Sequence, residues 1–249
     1  MKTISFALIF ILCLQGVKSQ NLSATDIIKK ADARMRGNSS IAELKMTIVR
    51  PAWQRELEMK SWTKGDDLAL ILITAPARDK GVAYLKRDKE LWNWQPSIDR
   101  VIKLPPSMML QSWMGSDFTN DDLVKESSAV HDYFHALGKD TVISGYACYA
   151  VVLTPKPEAA VVWGKIHTWI TKDDFIQIRS EFYDEDGFLI NTMVASEIKN
   201  MDGRMLPSHL EMIPSDKEGH KTMLDYRALK FDVELSDDFF TIQNMKRLK

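Results

Sequence analysis

A helical pattern of apolar residues opens the part of the chain that follows an N-terminal apolar run. The apolar residues recur on one face at helical spacing, as Ile27, Ile28, Ala31 and Met35. Thr25 is placed to cap this helix, and Gly37 is placed to end it. The sequence therefore predicts one amphipathic helix of about three turns near residues 25–37.

Beyond this helix the apolar period changes to two. In Trp53–Met59 the residues Trp53, Leu57 and Met59 share one face, and the polar residues between them face the other way. Similar segments follow with turn signals between many of them, at 42–49, 68–74, 82–86, 91–95, 100–104, 129–136, 146–153, 162–170, 176–183, 189–198, 208–213 and 222–229. One-sided alternation at this spacing predicts a meandering antiparallel sheet. Apart from the helix near residues 25–37, helical structure is predicted only for Pro105–Met114 and for a turn that begins at Thr119.

The first 19 residues read as a secretory signal. Lys2 precedes an apolar run from Ile4 to Leu14, and the small residues Val17 and Ser19 suit a signal peptidase. The run is shorter than the roughly 20 residues that span a bilayer. Cys13 follows a leucine where a lipid-anchoring site needs a small residue, so we expect a secreted, unanchored protein. The remainder, residues 20–249, has no linker and is expected to form one domain.

Charge and cysteine content exclude several classes of protein. The chain has 33 basic and 34 acidic residues, and a nucleic-acid-binding protein would show a basic excess. Cleavage at residue 19 would leave Cys148 as a single cysteine inside a strand, where it would pack as a small hydrophobe. We therefore expect no nucleic-acid partner and no internal disulfide. A monomer is expected.

The chain is rich in tryptophan and methionine, with 7 and 13 residues respectively. Trp92 and Trp94 share one face of their strand, and Met109 and Met114 lie in the connection that follows. Methionine fills irregular space and adapts to variable partners. The composition fits a filled barrel core or an adaptable apolar cavity, and does not distinguish between them.

Two segments imitate metal sites. His131 and His135 have the spacing of a zinc-protease pair, but in a strand their side chains would lie roughly 13 Å apart. In the segment 112–123, SWMGSDFTNDDL, a calcium loop starting at Asp117 would place Asp122 where glycine is required and Ser128 where glutamate is required. We therefore predict no metal site.

The carboxylates of the same segment have a structural explanation. Thr119 can cap a short helix, and Asp121 and Asp122 then lie in its first turn, where the helix dipole favours carboxylates. A hydrolytic pair of Asp117 and Asp121 is the alternative, and it predicts that Asp117→Asn abolishes turnover. The chain has no nucleophile elbow, phosphate loop or Cys-x-x-Cys motif, so an enzyme is the weaker expectation.

Several stretches resemble the outer-membrane lipoprotein-sorting protein family, which is related in fold to the periplasmic lipoprotein carrier LolA. They occur in order along nearly the whole chain, at 91–96, 100–104, 114–123, 138–145, 148–153, 155–156, 169–173, 183–187, 201–203, Pro207 and 235–241. The most specific block is Gly115-Ser-Asp-Phe-Thr119. The resemblance implies a mainly β fold, an incomplete antiparallel barrel of roughly 10–12 strands around an apolar cavity with helices as a lid.

The resemblance also implies a periplasmic carrier of lipid or lipoprotein acyl chains, with no catalysis and no cofactor. At the cavity or its mouth we expect Trp53, Met59, Trp92, Trp94, Met109, Trp113, Met114 and Phe118. As a lid or hinge we expect Gly115, Ser116, Asp117 and Thr119. Arg50 and Arg55 are both candidates for the arginine that such carriers use.

Two kinds of partner follow from that function. A carrier would receive cargo from an inner-membrane transporter or deliver it to an outer-membrane acceptor. The alternative is a non-catalytic interaction module of the cell envelope, which would have a closed core and an exposed apolar patch.

Overall fold

The computed structural model describes residues 22–124, 128–159 and 161–248. The predicted signal peptide, residues 1–19 with Cys13, lies outside these ranges. Helix α1 spans Ala24–Arg36 and ends at Gly37, whose backbone φ is 65°. Its buried face includes Ile27, Ile28 and Ala31, as predicted.

The cap of α1 is Ser23, so the prediction of Thr25 was wrong. The Ser23 hydroxyl accepts the Asp26 N–H at 3.1 Å, and the Asp26 carboxylate accepts the Ser23 N–H at 3.2 Å. This reciprocal pair satisfies two N–H groups that the first turn of a helix leaves without partners. Thr25 lies two residues after the cap position, inside the helix. Its hydroxyl instead contacts His135 Nδ1 at 3.1 Å.

The strands form one antiparallel sheet. The strands are β1 (Ser39–Arg50), β2 (Trp53–Lys64), β3 (Leu68–Ala75), β4 (Ala83–Arg87), β5 (Glu90–Gln95), β6 (Arg100–Leu104), β7 (Tyr133–Leu137), β8 (Thr141–Ile143), β9 (Tyr146–Pro155), β10 (Lys165–Thr171), β11 (Gln177–Tyr183), β12 (Leu189–Met201), β13 (Arg204–Pro214) and β14 (Lys221–Phe231). Three short helices are α2 (Asn120–Val124), α3 (Ser128–His131) and α4 (Ile242–Arg247).

The two halves of the sheet meet in its middle. The strand order is β6-β5-β4-β3-β2-β1-β14-β13-β12-β11-β10-β9-β7, with β8 paired to β9. Pairing of β1 with β14 joins the two meanders, and the end strands β6 and β7 do not pair with each other within the described ranges. The sheet is therefore open, which confirms the mainly β, incomplete-barrel class with 14 strands in place of roughly 10–12.

Two predicted elements differ in detail. The segment 129–136 was predicted as a strand, but it contains the end of α3 and the start of β7. His131 therefore ends a helix, and His135 lies in a strand. The predicted helical segment 105–114 forms two 3-10 turns, Pro106–Met108 and Trp113–Gly115, because the backbone leaves the helical region at Ser112, where ψ is 123°.

The sheet buries side chains on both of its faces. The concave face carries the main core, to which α1 contributes Ile27, Ile28 and Ala31. On the convex face of β2–β5, Trp62 and Trp94 pack with Phe240 and Met245 of the C-terminal segment. Lys246 adds a cation–π contact, its Nζ lying 4.7 Å from the centre of the Trp94 ring. The C-terminal segment thus covers the back of the N-terminal half.

An ion-pair network on the convex face of β13 and β14 is expected to make stability depend on pH. His209 Nδ1 lies 2.7 Å from Asp225 and Nε2 lies 3.5 Å from Glu211. Burial alone would lower the pKa of His209, but the two carboxylates outweigh it and raise the pKa above its usual value. The stabilisation is fully present below the unfolded-state pKa of about 6.5, and it is lost as pH rises through the higher folded-state pKa.

We expect His209→Gln to lower the free energy of unfolding by about 1 kcal/mol at pH 6 and by clearly less at pH 9. Urea unfolding of both proteins across this range measures the difference. His220→Gln serves as the control, because the His220 side chain has no hydrogen bond or ion pair among the described residues. A difference between wild type and His209→Gln that stays constant from pH 6 to pH 9 would contradict the role of the ion pairs.

Candidate functional site

A cavity of about 280 Å³ lies between the concave face of the sheet and the helices α1, α2 and α3. An engineered apolar cavity of about 150 Å³ stays dry and binds benzene, and ligand pockets begin near 300 Å³. The volume is therefore in the range that admits a slender apolar ligand. Its apolar lining comprises Ile28, Ala31, Met35, Ala42, Leu44, Met59, Ala69, Ile71, Phe118, Ala129, Leu153, Trp163, Ile166, Phe182, Met193, Leu210, Met212, Leu224 and Leu229.

Helix α1 forms one side of this cavity. Ala31 and Met35 point into it, and Asp32 and Arg36 border it as an ion pair of 2.7 Å. Arg36 Nε also lies 3.5 Å from Asp66 in the β2–β3 turn, and Asp66 lies 3.4 Å from His131 of α3. The turn carrying Asp66 thus connects two helices that cover the sheet.

Uncharged polar side chains occupy one patch of the cavity wall, on β10 and β11. Gln177 Nε2 donates to Ser180 Oγ at 2.8 Å, and Ser180 Oγ donates to Thr168 Oγ1 at 2.9 Å. Thr168 Oγ1 in turn donates to the Arg179 carbonyl at 3.3 Å. Because buried polar groups cost stability unless they are hydrogen-bonded, this chain allows hydroxyl groups to line an otherwise apolar wall.

Two carboxylates of α2, Asp121 and Asp122, border the cavity. Thr119 caps the helix as predicted: its hydroxyl accepts the Asp122 N–H at 3.0 Å, and the Asp122 carboxylate accepts the Thr119 N–H at 2.8 Å. Trp163 Nε1 donates to the other Asp122 oxygen at 2.9 Å. Burial nevertheless dominates, and it raises the pKa of Asp122 above the usual range of an aspartate.

Asp117 holds the segment 112–119 against the sheet. Its carboxylate accepts hydrogen bonds from Arg50 Nη1 at 2.9 Å and from the Thr222 hydroxyl at 2.7 Å. Arg50 Nη2 also donates to the Gly115 carbonyl at 3.0 Å. The Asp117 and Arg50 side chains are only 6% and 11% exposed. The Asp117 carboxylate therefore has structural partners, which the hydrolytic alternative does not explain.

Arg55 holds the preceding residue of the same segment. Its Nη1 donates to the Met114 carbonyl at 3.2 Å, and its Nη2 donates to Asp79 at 2.8 Å. Burial alone would raise the pKa of Asp79, but hydrogen bonds from Arg55 and Arg78 outweigh it and lower the pKa. Arg50 and Arg55, both candidates for a functional arginine, thus bind consecutive carbonyls of one loop.

The structure brings only part of the predicted site together. Met59 and Phe118 line the cavity, whereas Met109 and Trp113 fill the concave face beside it, where Trp113 packs on Tyr84 at 5.3 Å between ring centres. Met114 packs against the same core. The other predicted residues lie elsewhere: Trp53 is 52% exposed beside the β1–β2 turn, and Trp92 and Trp94 belong to the convex-face cluster. Of the lid residues, Gly115 has φ 81°, Ser116 and Thr119 are buried, and Asp117 is held as described.

Most of the lining was not anticipated. Met193, Leu210, Met212 and Leu224 lie in strands whose alternation was recognised, so the inward face of β12–β14 was available as a signal. Tyr133 and Trp163 also line the cavity; both lie in segments predicted as strands, 129–136 and 162–170, but neither was predicted to face the cavity. Tryptophans and methionines were predicted at the cavity because of their residue type, whereas the face of the strand determines which side chains line it.

Comparison with known proteins places the chain in a family. A protein-family model described as "Uncharacterized protein" matches residues 65–247, which is most of the chain. The chain belongs to this family. Among solved structures, a LolA superfamily protein from Nitrosomonas europaea is 26% identical with a TM-score of 0.77, and the match covers 89% of this chain and 99% of that one. The resemblance to LolA-related proteins is confirmed.

Two further structures have the same fold. A DUF1329 family protein from Desulfovibrio piger is 25% identical with a TM-score of 0.81, and the match covers 89% of this chain and 97% of that one. A domain from Vibrio parahaemolyticus, named as an outer-membrane lipoprotein-sorting protein domain, is 22% identical with a TM-score of 0.81, covering 90% and 98% of the two chains. No curated protein is significantly similar to the chain.

The remaining candidate chemistry is limited. Within residues 22–124, 128–159 and 161–248, no three histidine, cysteine or acidic side chains are grouped so that they could hold a metal ion. In the same ranges, none of the helices has the length and apolar character needed to cross a bilayer. Cys148 is buried on the convex face, and burial raises the pKa of its thiol.

Proposed function

We propose that this protein is a periplasmic carrier that binds acyl chains of lipids or lipoproteins in its cavity and does not act as an enzyme. The observation that carries the proposal is the apolar cavity of about 280 Å³ between sheet and helices. Each methylene that moves from water to such a lining contributes about 0.8 kcal/mol. Affinity then arises from apolar area, which suits a flexible chain, and four of the lining residues, Met35, Met59, Met193 and Met212, have unbranched side chains that adapt to the shape of a ligand.

The relatives support the same proposal. A solved structure of the same fold carries the name of the LolA superfamily, and another carries the name of lipoprotein sorting. A carrier of this kind takes its cargo from one partner and delivers it to another. We therefore propose an inner-membrane transporter or an outer-membrane acceptor as partner, with the carrier acting as a monomer and without a cofactor or nucleic acid.

A direct test is the binding of the neutral fluorescent probe N-phenyl-1-naphthylamine, together with native mass spectrometry of the purified protein. We expect saturable fluorescence enhancement at one site per chain, displacement by acylated compounds, and co-purified lipid in the mass spectrum. Absence of both saturable probe binding and co-purified lipid would contradict the carrier function.

An envelope interaction module is the second candidate, and one surface favours it. Phe134, Leu137, Val142 and Tyr146 are exposed along the edge formed by β7, β8 and the start of β9. Exposed apolar groups on an edge with unpaired backbone donors and acceptors are a surface on which another protein can dock. Under this alternative, Phe134→Ser would abolish capture of the partner while probe binding in the cavity stays unchanged.

A further inference from the structure

The charge of the cavity lining restricts which polar end a bound acyl ligand can carry. This inference rests on the proposed carrier function. Asp32, Asp121 and Asp122 border the cavity, and Arg36 is the one basic residue among the described lining residues. Arg36 is already committed to carboxylates, at 2.7 Å from Asp32 and 3.5 Å from Asp66. Among the described lining residues, carboxyl groups therefore outnumber basic groups three to one, and the one basic group is already paired.

An anionic ligand group would be poorly accommodated by this lining. Bringing a carboxylate or phosphate out of water into an apolar cavity is costly unless a cation or several donors receive it. Like charges nearby add repulsion, and this repulsion is stronger in a low-dielectric interior than in water. Asp121 is itself only 5% exposed, so solvent screening between it and a bound anion would be weak.

Uncharged polar groups are better matched. The patch of Gln177, Ser180 and Thr168 presents hydroxyl and amide groups to the cavity. An amide carries two N–H donors and an acceptor oxygen, of which the hydrogen bond to Ser180 uses one N–H. Ser40 and Thr63, whose hydroxyl oxygens lie 2.7 Å apart, add a second uncharged pair on β1 and β2. Ester carbonyls and hydroxyls of a ligand can be hydrogen-bonded by such groups without any change of charge.

We propose that the cavity selects acyl ligands with an uncharged polar end, of the acylglycerol ester type, over free fatty acids and other anionic single-chain lipids. Chain length and apolar area set how tightly any acyl chain binds. The carboxylates of the lining and the hydroxyl–amide patch determine which polar end is accepted with it.

Displacement of N-phenyl-1-naphthylamine from the wild-type protein tests this selection with a series of matched twelve-carbon chains at pH 8, each below its micelle concentration. We expect 1-monolauroylglycerol and methyl laurate to displace the probe at least ten times more effectively than laurate. Methyl laurate separates the effect of charge from that of the glycerol hydroxyls. At pH 5, where more of the fatty acid is neutral, the difference between laurate and the esters should narrow.

Three results would overturn the selection while leaving the carrier function intact. Laurate could compete within twofold of the esters at pH 8, the gap could be independent of pH, or dodecyltrimethylammonium could displace the probe better than 1-monolauroylglycerol, which would indicate a cationic ligand. If none of the twelve-carbon compounds displaced the probe, the carrier function itself would be contradicted.

A charge variant gives a second measure. Asp121→Asn removes one carboxylate from the lining at nearly constant volume, and we expect it to reduce the preference for 1-monolauroylglycerol over laurate at least threefold. Glu43→Gln is the matched control, since Glu43 is exposed on the opposite face of β1 and does not line the cavity. An Asp121→Asn protein with the wild-type preference would contradict the electrostatic argument, and Asp32→Asn repeats the test at the other side of the cavity.

Discussion

Replacing Ala42 by phenylalanine is expected to weaken N-phenyl-1-naphthylamine binding at least tenfold. Ala42 is the fourth residue of β1, is 3% exposed and points into the cavity. A benzyl group placed there takes up space comparable to that of benzene, which fills an engineered cavity of about 150 Å³. The cavity has about 280 Å³, so the substitution would remove roughly half of the volume available to a ligand.

The effect on folding should be small by comparison. A larger side chain is destabilising by about 1–3 kcal/mol where a core is already full, but here it enters unfilled space. Urea unfolding should therefore show a midpoint close to wild type, while fluorescence titration shows the lost binding. Ala69→Phe, at another lining position on β3, provides an independent block.

Glu43→Phe is the matched control for this prediction. It adds the same side chain to the neighbouring residue of β1, on the face that points away from the cavity. Probe affinity should remain at the wild-type value. Wild-type affinity in both Ala42→Phe and Ala69→Phe, with the fold intact, would show that ligands bind somewhere other than the cavity.

Replacing Arg50 by alanine is expected to lower the free energy of unfolding by about 3–5 kcal/mol, because it leaves the buried carboxylate of Asp117 without its cation. The loss also removes the hydrogen bonds from Arg50 to Asp117 and to the Gly115 carbonyl, at 2.9 and 3.0 Å. Among the described side chains, Thr222 would then be the remaining hydrogen-bond donor to the Asp117 carboxylate. Urea unfolding followed by circular dichroism measures the change.

Arg50→Lys should fall between wild type and Arg50→Ala, since a lysine ammonium cannot reproduce the planar fork that contacts two acceptors. The exposed pair of Lys103 and Glu90 is the matched control: both side chains are about half exposed, and Lys103→Ala should cost less than about 1 kcal/mol. A loss below 1 kcal/mol for Arg50→Ala would mean that the segment 112–119 is held mainly by its apolar residues.

The same segment shows how far local sequence rules extend. The helix cap at Thr119, with Asp121 and Asp122 in the first turn, follows from residues within one helical turn and was predicted correctly. The partners of Asp117 were not predicted. Arg50 and Thr222 are 67 and 105 residues away, and only the pairing of β1 with β14 brings them to one end of the sheet.

The tryptophans show the same division. The alternation in Leu91–Gln95 placed Trp92 and Trp94 on one face, but both faces of β3–β5 bury apolar residues. Which face becomes concave depends on the curvature of the whole sheet and on where the C-terminal residues Phe240 and Met245 pack. No periodicity within a single strand carries that information.

The sequence by itself determined the antiparallel β class, the amphipathic helix, the cap at Thr119 and the family resemblance, because each depends on residues close together in the chain or on an ordered set of short motifs. The tertiary structure alone decided that β1 pairs with β14, that Met193, Leu210 and Leu224 line the cavity, and that the tryptophans of β5 lie behind it. It also brought carboxylates from α1 and α2 to one lining that has a single basic residue among its described members. These features depend on strand order and sheet curvature, which arise from contacts between residues far apart in the chain.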